Sequence, residues 1–163
     1  PLVFHDRLLS AAAYVKNNTA LFADWARAFQ AHPNEARPLD VMGAQGDPNL
    51  FYLQGYWELG AGQALLLEFR PPACDYWNFQ LNNHWMESLD YRYFPITLNK
   101  ASAVYGDGGS VRIVVAHEDI GLPNFIDTCG HDLGTMCLRW VRAKDHPTPK
   151  TSVVKLDSLR RPA

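Results

Sequence analysis

Short apolar-rich runs, several of which alternate between apolar and polar side chains, occupy most of the chain after residue 48. A period of two is typical of β strands that bury one face. These runs cover residues 50–59, 64–70, 75–85, 96–105, 110–117 and 135–142. Turn signals separate them, and no helical pattern lies between them. The pattern therefore predicts a mainly β domain, an antiparallel β-sandwich or jelly-roll-like fold.

The beginning of the chain carries a helical pattern instead. Residues 7–15 are rich in Leu and Ala, which favour helices. Residues 17–19, Asn-Asn-Thr, are cap-type residues and predict a helix boundary. An apolar stripe at helical spacing follows, formed by Leu21, Phe22, Trp25, Ala28 and Phe29. We expect residues 1–37 to form a helical segment that packs on the sheet or on a companion domain.

Turn-forming residues divide the rest of the chain. Residues 38–48 are rich in Pro, Gly, Asp and Gln, which predicts a connector. The stretch Gly106-Asp107-Gly108-Gly109, whose backbone is expected to need positive φ, predicts a hairpin between residues 96–105 and 110–117. The last segment, residues 144–163, contains three prolines and is expected to form an extended tail. The β-sandwich domain would then span residues 38–143.

Residues 75–85, with the sequence DYWNFQLNNHW, have two contrasting faces. One parity is largely apolar, whereas the other parity carries Tyr76, Asn78, Gln80, Asn82 and His84. Side chains of the second set can all form hydrogen bonds. Such a row is typical of a pocket for a polar ligand, and it is equally typical of a buried amide network. An interior position of this strand favours an inward-facing row in either case.

Composition and charge restrict the class of protein. The 163 residues suit a single domain, and 47% apolar with 20% charged residues is ordinary for a globular protein. A net charge of −2 argues against binding to nucleic acid or to an anionic membrane. Three cysteines without a CxxC spacing predict reduced thiols in a cytoplasmic protein. The chain shows no signal-peptide pattern, and a leader removed before Pro1 is left open.

Four stretches and one pair occur in a characteristic order, and together they resemble a known family. They are residues 76–81 (YWNFQL), 85–90 (WMESLD), 107–109 (DGG) and 123–131 (PNFIDTCGH), followed by Arg139-Trp140. Residues 47–142 thereby resemble the bacterial "domain of unknown function 1214", which often accompanies the "domain of unknown function 1254". Ile120 and Phe125 depart from that pattern but keep its turn and its aromatic residue. The resemblance implies a β-rich, jelly-roll-like fold and no particular activity.

His84 is the first candidate for chemistry. A helical turn after Trp85 would bring His84 next to Glu87 and Ser88. A histidine oriented by a carboxylate can act as a general base. The alternative is a capping turn in which Ser88 and Asp90 bond to the backbone and His84 closes the amide row.

The loop at residues 124–131 is the second candidate, because rigid β-sandwiches often carry function on their loops. Its polar residues include Asp127, Thr128 and His131, and His131 could converge with Arg139 on one anion. The alternative is a scaffold held by side chains of Asn124 and Asp127. His117 and Asp119 are suitable metal ligands, but no ligand motif is complete and no phosphate-binding loop is present. We therefore expect no metal and no cofactor.

Three functional hypotheses follow from these patterns. In the first, the domain binds a small polar or amphipathic ligand through Tyr76, Asn78, Gln80, Asn82, Trp85 and Asp127. In the second, it is an enzyme of lyase, isomerase or hydrolase type that uses His84 or His131 as base and Arg139 or an amide as the oxyanion partner. In the third, it has a structural role, as a homo-oligomer or beside a companion domain. No nucleic-acid or membrane partner is expected.

Overall fold

A computed structural model describes residues 2–38 and 47–160. Most of the predicted connector, residues 38–48, lies outside these ranges. The elements are helix α1 (Leu2–Gln30) and strands β1 (Glu35–Pro38), β2 (Leu50–Glu58), β3 (Gln63–Phe69), β4 (Tyr76–Leu81), β5 (Thr97–Asn99), β6 (Val111–Ala116), β7 (Phe125–Asp127), β8 (Leu133–Val141) and β9 (Lys150–Lys155). Two short 3₁₀ helices, Asp107–Gly109 and Leu156–Leu159, complete the described elements.

The strands form two packed sheets. Sheet A has the strand order β1-β2-β8-β4-β5, and sheet B has the order β7-β6-β3-β9. All pairs are antiparallel except β6 with β7. This architecture confirms the predicted class, a mainly β sandwich-like domain with an N-terminal helix. The finer jelly-roll description stays a prediction.

Large aromatic side chains fill the space between the sheets. Trp57, Trp77 and Trp140 are fully buried there, together with aliphatic residues from both sheets. Phe69 of sheet B meets Trp77 and Trp140 of sheet A edge to face, with ring centroids 5.4 and 5.5 Å apart. These contacts across the sandwich are why the apolar parity of β4 and β8 faces inward.

The predicted strand over residues 75–85 is shorter than expected. Strand β4 ends at Leu81, because the side chain of Asn83 folds the following residues into a turn. Its Oδ1 accepts hydrogen bonds from the backbone N–H groups of Trp85 and Glu87, at 2.9 and 3.1 Å. The polar parity of β4 faces outward from sheet A, so the expectation of an inward-facing row was wrong.

The predicted hairpin around Gly106–Gly109 was also wrong. Strand β5 pairs with β4 in sheet A, whereas β6 pairs with β3 in sheet B. The glycine turn does use positive φ, 63° at Gly108 and 77° at Gly109, but its connection crosses from one sheet to the other. Asn99 ends β5 early, because its Oδ1 accepts from the backbone N–H groups of Ala101 and Ser102.

The tail is part of the sandwich and not a separate arm. Strand β9 pairs with β3 in register from Lys150 to Lys155. It supplies the backbone partners that the free edge of β3 needs. Leu156, just after β9, is buried against sheet B in a cluster with Leu66 and Val114. The expected end of the domain at residue 143 therefore does not match the paired strands.

Helix α1 is continuous, which corrects the boundary predicted at residues 17–19. Thr19 lies inside the helix, and its Oγ1 donates to the carbonyl oxygen of Val15 at 2.8 Å. The C-terminal part packs against β2 and β8, where Ala23 and Ala26 are buried. In the described part of the chain, no helix is both long and apolar enough to span a membrane.

Candidate functional site

The polar parity of β4 contributes to an outward surface that we call the sheet A face. It is formed by side chains from three adjacent strands, Tyr52, Gln54, Tyr56, Asn78, Gln80, Asn82, Thr135, Cys137 and Arg139. Helix α1 contacts β2 and β8, so it covers part of this surface. The β4 side is more open, since Asn78 and Gln80 are half-buried and Tyr76 is exposed.

The covered part of the sheet A face is dry. Tyr56, Cys137 and Thr135 are almost entirely buried although they point away from the core between the sheets. Burial raises the pKa of the Cys137 thiol to about 11, because the thiolate would lose its hydration. Burial likewise raises the pKa of the Tyr56 phenol. Both groups therefore stay protonated near neutral pH.

The amide row is largely engaged in internal hydrogen bonds. Gln80 Nε2 donates to Asn82 Oδ1 at 2.7 Å, and Asn82 itself is buried. The main-chain carbonyl oxygen of Asn82 accepts from Trp57 Nε1 at 3.1 Å. This geometry resembles the amide-network alternative more than an open ligand pocket, at least at this end of β4.

His84 does not form the predicted site with Glu87 and Ser88. Its Nδ1 lies 2.8 Å from Tyr56 Oη, and its ring meets the Tyr56 ring edge to face. Glu87 is instead bound by Asn83, whose Nδ2 donates to Glu87 Oε2 at 2.8 Å. The chain forms an Asn83-centred turn and not a helical turn, which explains why the i, i+3 and i, i+4 argument fails. Trp85 is exposed beside His84.

Asp90 belongs to a separate surface contact. Its Oδ1 accepts from Arg92 Nε at 3.0 Å, and this hydrogen bond lowers the pKa of the Asp90 carboxyl. The carboxylate is thus committed to a local pair, as the capping alternative implied, although its partner is a side chain as well as the backbone.

His131 and Arg139 do not converge. His131 is exposed just before β8, whereas Arg139 lies near the other end of that strand. From Leu133 to Arg139 the strand extends about 20 Å. The Arg139 guanidinium lies over the ring of Tyr52, 5.7 Å from its centroid. The proposed shared anion site was therefore wrong for geometric reasons.

The loop at residues 124–131 is held by its own polar side chains. Asp127 Oδ1 accepts from the backbone N–H of Cys129 at 2.7 Å. Asn124 Oδ1 accepts from Val104 N–H at 2.7 Å, and its Nδ2 donates to the carbonyl oxygens of Val104 and Arg112. These contacts correspond to the scaffold alternative.

His117 occupies a position that the sequence did not reveal. Its Nδ1 lies 2.7 Å from Thr128 Oγ1, its Nε2 lies 3.2 Å from the Leu59 carbonyl oxygen, and Asp132 Oδ1 is 4.0 Å away. The spatial arrangement of Asp132, His117 and Thr128 resembles a catalytic triad, but the Thr128 hydroxyl is fully buried and cannot contact a substrate. Within residues 2–38 and 47–160, no three His, Cys, Asp or Glu side chains form a possible metal site.

A large cavity lies on the opposite side of the molecule, on the outer surface of sheet B. Its volume is about 700 Å³, and we call it the sheet B cavity. Its apolar lining is formed by Phe69, Val104, Tyr105, Val111, Val114, Leu122 and Leu159. The side walls come from the β5–β6 connection and from the segment between β6 and β7. Cavities of this size and character commonly hold small molecules.

Charged side chains stand along one wall of the sheet B cavity. Glu68 lies between Arg112 on β6 and Lys150 on β9, its register partners in the two neighbouring strands. Arg112 Nη2 is 2.7 Å from Glu68 Oε1. Among residues 2–38 and 47–160, Lys150 forms no ion pair. The three groups therefore leave one net positive charge beside an apolar chamber.

Two runs that are apolar on both parities, residues 64–67 and 113–116, indicate that the outer side of sheet B is covered, and Val114 of the second run lines the cavity. Residues 64–67, Ala-Leu-Leu-Leu, are apolar on both parities, which indicates a strand covered on both faces. Leu66 is indeed buried on the outer side of sheet B. The cavity walls themselves could not be predicted, because they come from connections that are distant in sequence.

Comparisons with known proteins provide relatives of the fold but no activity. No protein-family model matches this sequence. A search of curated proteins likewise finds no match. The chain is similar to the crystal structure of an uncharacterised protein from Burkholderia cenocepacia, with 47% identity, a TM-score of 0.81, and coverage of 85% of this chain and 40% of that chain.

A second solved structure extends the fold comparison. It is a Vibrio parahaemolyticus protein with a TM-score of 0.53 and 15% identity, matched over 69% of this chain and 33% of that chain. At that identity the likeness concerns the fold alone. The present chain thus spans less than half the length of each of these two proteins.

Proposed function

We propose that this domain binds a small amphipathic anion in the sheet B cavity. The observation that supports this proposal is the cavity of about 700 Å³, which combines an apolar lining with the charged row of Arg112, Glu68 and Lys150. This proposal retains the ligand class expected from the sequence. It moves the binding site from the amide row of β4 to the other sheet.

The lining favours a ligand with an apolar body. Val114 and Leu122 present aliphatic surface, and Tyr105 adds an aromatic ring. The Tyr105 hydroxyl donates to the Lys100 carbonyl oxygen at 2.9 Å, so that ring is held in place. Burial of apolar ligand surface here would contribute about 25 cal/mol per Å².

The charged row favours an anionic head group. Glu68 neutralises Arg112, and the exposed ammonium of Lys150 remains available for a carboxylate, sulfonate or phosphate. A wet, exposed charge pair contributes about 1 kcal/mol or less. The apolar body should therefore provide most of the affinity, and the head group should orient the ligand.

Binding can be tested by fluorescence titration with 8-anilino-1-naphthalenesulfonate, an apolar aromatic anion. Because exposed apolar side chains of α1 can also bind this dye, Leu8→Glu serves as the background for every sample. In that background, Val114→Trp fills the cavity and should weaken binding by about tenfold or more. Val141→Trp, the same change on the outward side of β8, is the matched control and should leave binding unchanged.

A charge reversal distinguishes binding of the dye in the cavity from nonspecific binding elsewhere on the protein. Lys150→Glu should weaken dye binding about fivefold, whereas Arg139→Glu on the sheet A face should have no effect. Equal effects of the two reversals, or full binding by folded Val114→Trp protein, would refute the cavity assignment.

The enzymatic alternative is less supported than ligand binding. In the described ranges, His84 is oriented by Tyr56, and His131 lies far from Arg139. Neither histidine has the partner that the hypothesis assigned to it. The resemblance to the domain of unknown function 1214 remains a prediction that bears on fold and not on reaction.

A further inference from the structure

The sheet B cavity changes character along the strands that form its floor. Val114, which lines the cavity, pairs with Leu66 of β3, and both side chains are apolar. Two residues further along β3, Glu68 lies between Arg112 and Lys150. Because alternate residues of a strand share one face, these two levels are neighbours on the outer surface of sheet B. The charged row therefore forms one end of the cavity, and a ligand with one charged head group has a single favourable orientation.

A further cation stands beside this charged end. Arg70 is exposed and follows Glu68 by two residues, so alternation places it on the same side of sheet B. Its guanidinium lies directly against Gly108, where an added Cβ would be only 2.6 Å from Arg70 Nη2. Gly106 and Ser110, which flank this turn, line the cavity. Arg70 thus reaches the wall of the charged end, although it stands just outside the lining.

Two positive charges at this end are not neutralised by a carboxylate. Arg112 is engaged by Glu68, since its Nε and Nη2 both lie 2.7 Å from Glu68 Oε1. In the described part of the chain, Arg70 and Lys150 form no ion pair, and Asp107 in the adjoining turn forms none with either. The cavity therefore combines one apolar end with two free cations at the other end.

We propose that the ligand of the sheet B cavity is a phosphate monoester with an apolar body, and that Arg70 and Lys150 hold its dianionic head group. This inference rests on the proposed binding of an amphipathic anion and specifies its head group. Arg70 and Lys150 are diagonal neighbours across β3 and β9, which separates their Cα atoms by about 7–8 Å. Both long side chains can therefore reach one phosphate, Arg70 through a forked pair of N–H groups and Lys150 as a point charge.

Competition between two matched ligands tests this preference. Octyl phosphate and octyl sulfate have the same chain and a tetrahedral head group, and each is used to displace bound 8-anilino-1-naphthalenesulfonate in the Leu8→Glu background. The second pKa of a phosphate monoester is about 6, so at about pH 8 it carries close to two negative charges, whereas the sulfate carries one. Octyl phosphate should then bind about fivefold more tightly than octyl sulfate. At about pH 5 both are monoanions, and the two affinities should become similar.

Removal of one free cation should reduce the preference for phosphate. Arg70→Gln should lower the ratio of the two affinities at about pH 8 from about fivefold to about twofold, because the second negative charge loses one of its two partners. Arg7→Gln, the same change at an exposed arginine of α1, is the matched control and should leave the ratio unchanged. Circular dichroism checks that both variants keep the native fold.

The outcomes distinguish the head group from the cavity. Equal affinities for the two ligands at about pH 8, or a full preference retained by folded Arg70→Gln protein, would overturn the phosphate assignment. Cavity binding would still stand in that case if Val114→Trp weakens the binding of both ligands. If Val114→Trp weakens neither, the ligands bind elsewhere, and the proposed function fails together with the inference that depends on it.

Discussion

The two outer surfaces of the sandwich are covered by different neighbours. Helix α1 lies on part of the sheet A face, where Tyr56 and Cys137 are buried, and on the more open β4 side Gln80 donates a hydrogen bond to Asn82. Loops and the chain end surround the outer surface of sheet B and leave a cavity of about 700 Å³. A polar face is therefore compatible with close packing, and an apolar face is compatible with an open chamber.

The difference has a simple physical origin. Under the helix, the Tyr56 hydroxyl lies at hydrogen-bond distance from His84 Nδ1, and the Thr135 hydroxyl donates to the Asn83 main-chain carbonyl oxygen, so both are paired although buried. Gln54 Oε1 is a buried atom of this face that has no hydrogen-bond partner in the described part of the chain. The apolar outer residues of sheet B have no such partners. They are covered by segments that do not fill the space completely, and a ligand can occupy what remains.

The largest predicted effect separates the two sides of β4. Phe79→Ala, which removes a fully buried ring, should lower the free energy of unfolding by about 3–5 kcal/mol. Asn78→Ala, one residue earlier on the half-buried outer side, should cost less than about 1 kcal/mol. Urea denaturation of both variants measures this contrast. Similar losses would mean that the outward parity of β4 is not an outer surface.

A pH dependence tests whether the covered part of the sheet A face is dry. The pKa of Cys137 rises from 9.0 to about 11 on folding, so the folded state favours the protonated thiol. The contribution of this thiol to the free energy of unfolding is complete below pH 9 and is lost as the pH rises from 9 to about 11. The expected loss is about 2–3 kcal/mol. Other groups also titrate between pH 9 and 11. The measurement is therefore the difference in unfolding free energy, from urea denaturation, between the native chain and Cys137→Ala at each pH. Equal slopes of unfolding free energy against pH for the two proteins would contradict burial of the thiol.

A smaller effect is expected for the contact between Tyr56 and His84. Tyr56→Phe removes the hydroxyl that lies 2.8 Å from His84 Nδ1 but keeps the ring. The free energy of unfolding should fall by about 1 kcal/mol, and the NMR signals of the His84 ring should move. An unchanged His84 spectrum would indicate that the pair does not form in solution.

The smallest effect on stability concerns the wall of the sheet B cavity. Glu68→Gln removes one partner of an exposed pair with Arg112 and should change stability by less than about 1 kcal/mol. Binding of the anionic dye should nevertheless strengthen a few-fold, because the wall gains net positive charge. Weaker binding in this variant would contradict the proposed position of the anionic head group.

Local patterns predicted β2, β3, β4, β5, β6 and β8 but not β1, β7 and β9, and they did not predict the strand partners. The apolar parity of β4 identified Trp77 and Phe79 as core residues, since burial of alternate residues depends on the strand alone. The pairing of β5 with β4, and of β9 with β3, depends on chain reversals several residues away. The glycine turn was correctly associated with positive φ, yet it could not indicate which sheet each flank joins.

The candidate sites likewise depend on contacts that local sequence patterns do not predict. Asn83 organises the turn after β4, and that single side chain prevents the predicted grouping of His84 with Glu87. The contact between His84 and Tyr56 joins residues that are 28 positions apart. The cavity walls are assembled from segments that are also distant in sequence, so the doubly apolar runs at residues 64–67 and 113–116 indicated a covered outer face but not a cavity.

An NMR titration of the native chain with 8-anilino-1-naphthalenesulfonate distinguishes the two faces, because backbone amide shifts report on both of them in one experiment. If the ligand site is the sheet B cavity, the shifts will be concentrated at residues 104–114 and 122–124, and residues 52–56 and 135–139 will be unchanged. Dye bound to the exposed apolar residues of α1 would shift only α1 and can be recognised separately. Shifts concentrated on the sheet A face, with none around the sheet B cavity, would contradict binding in that cavity.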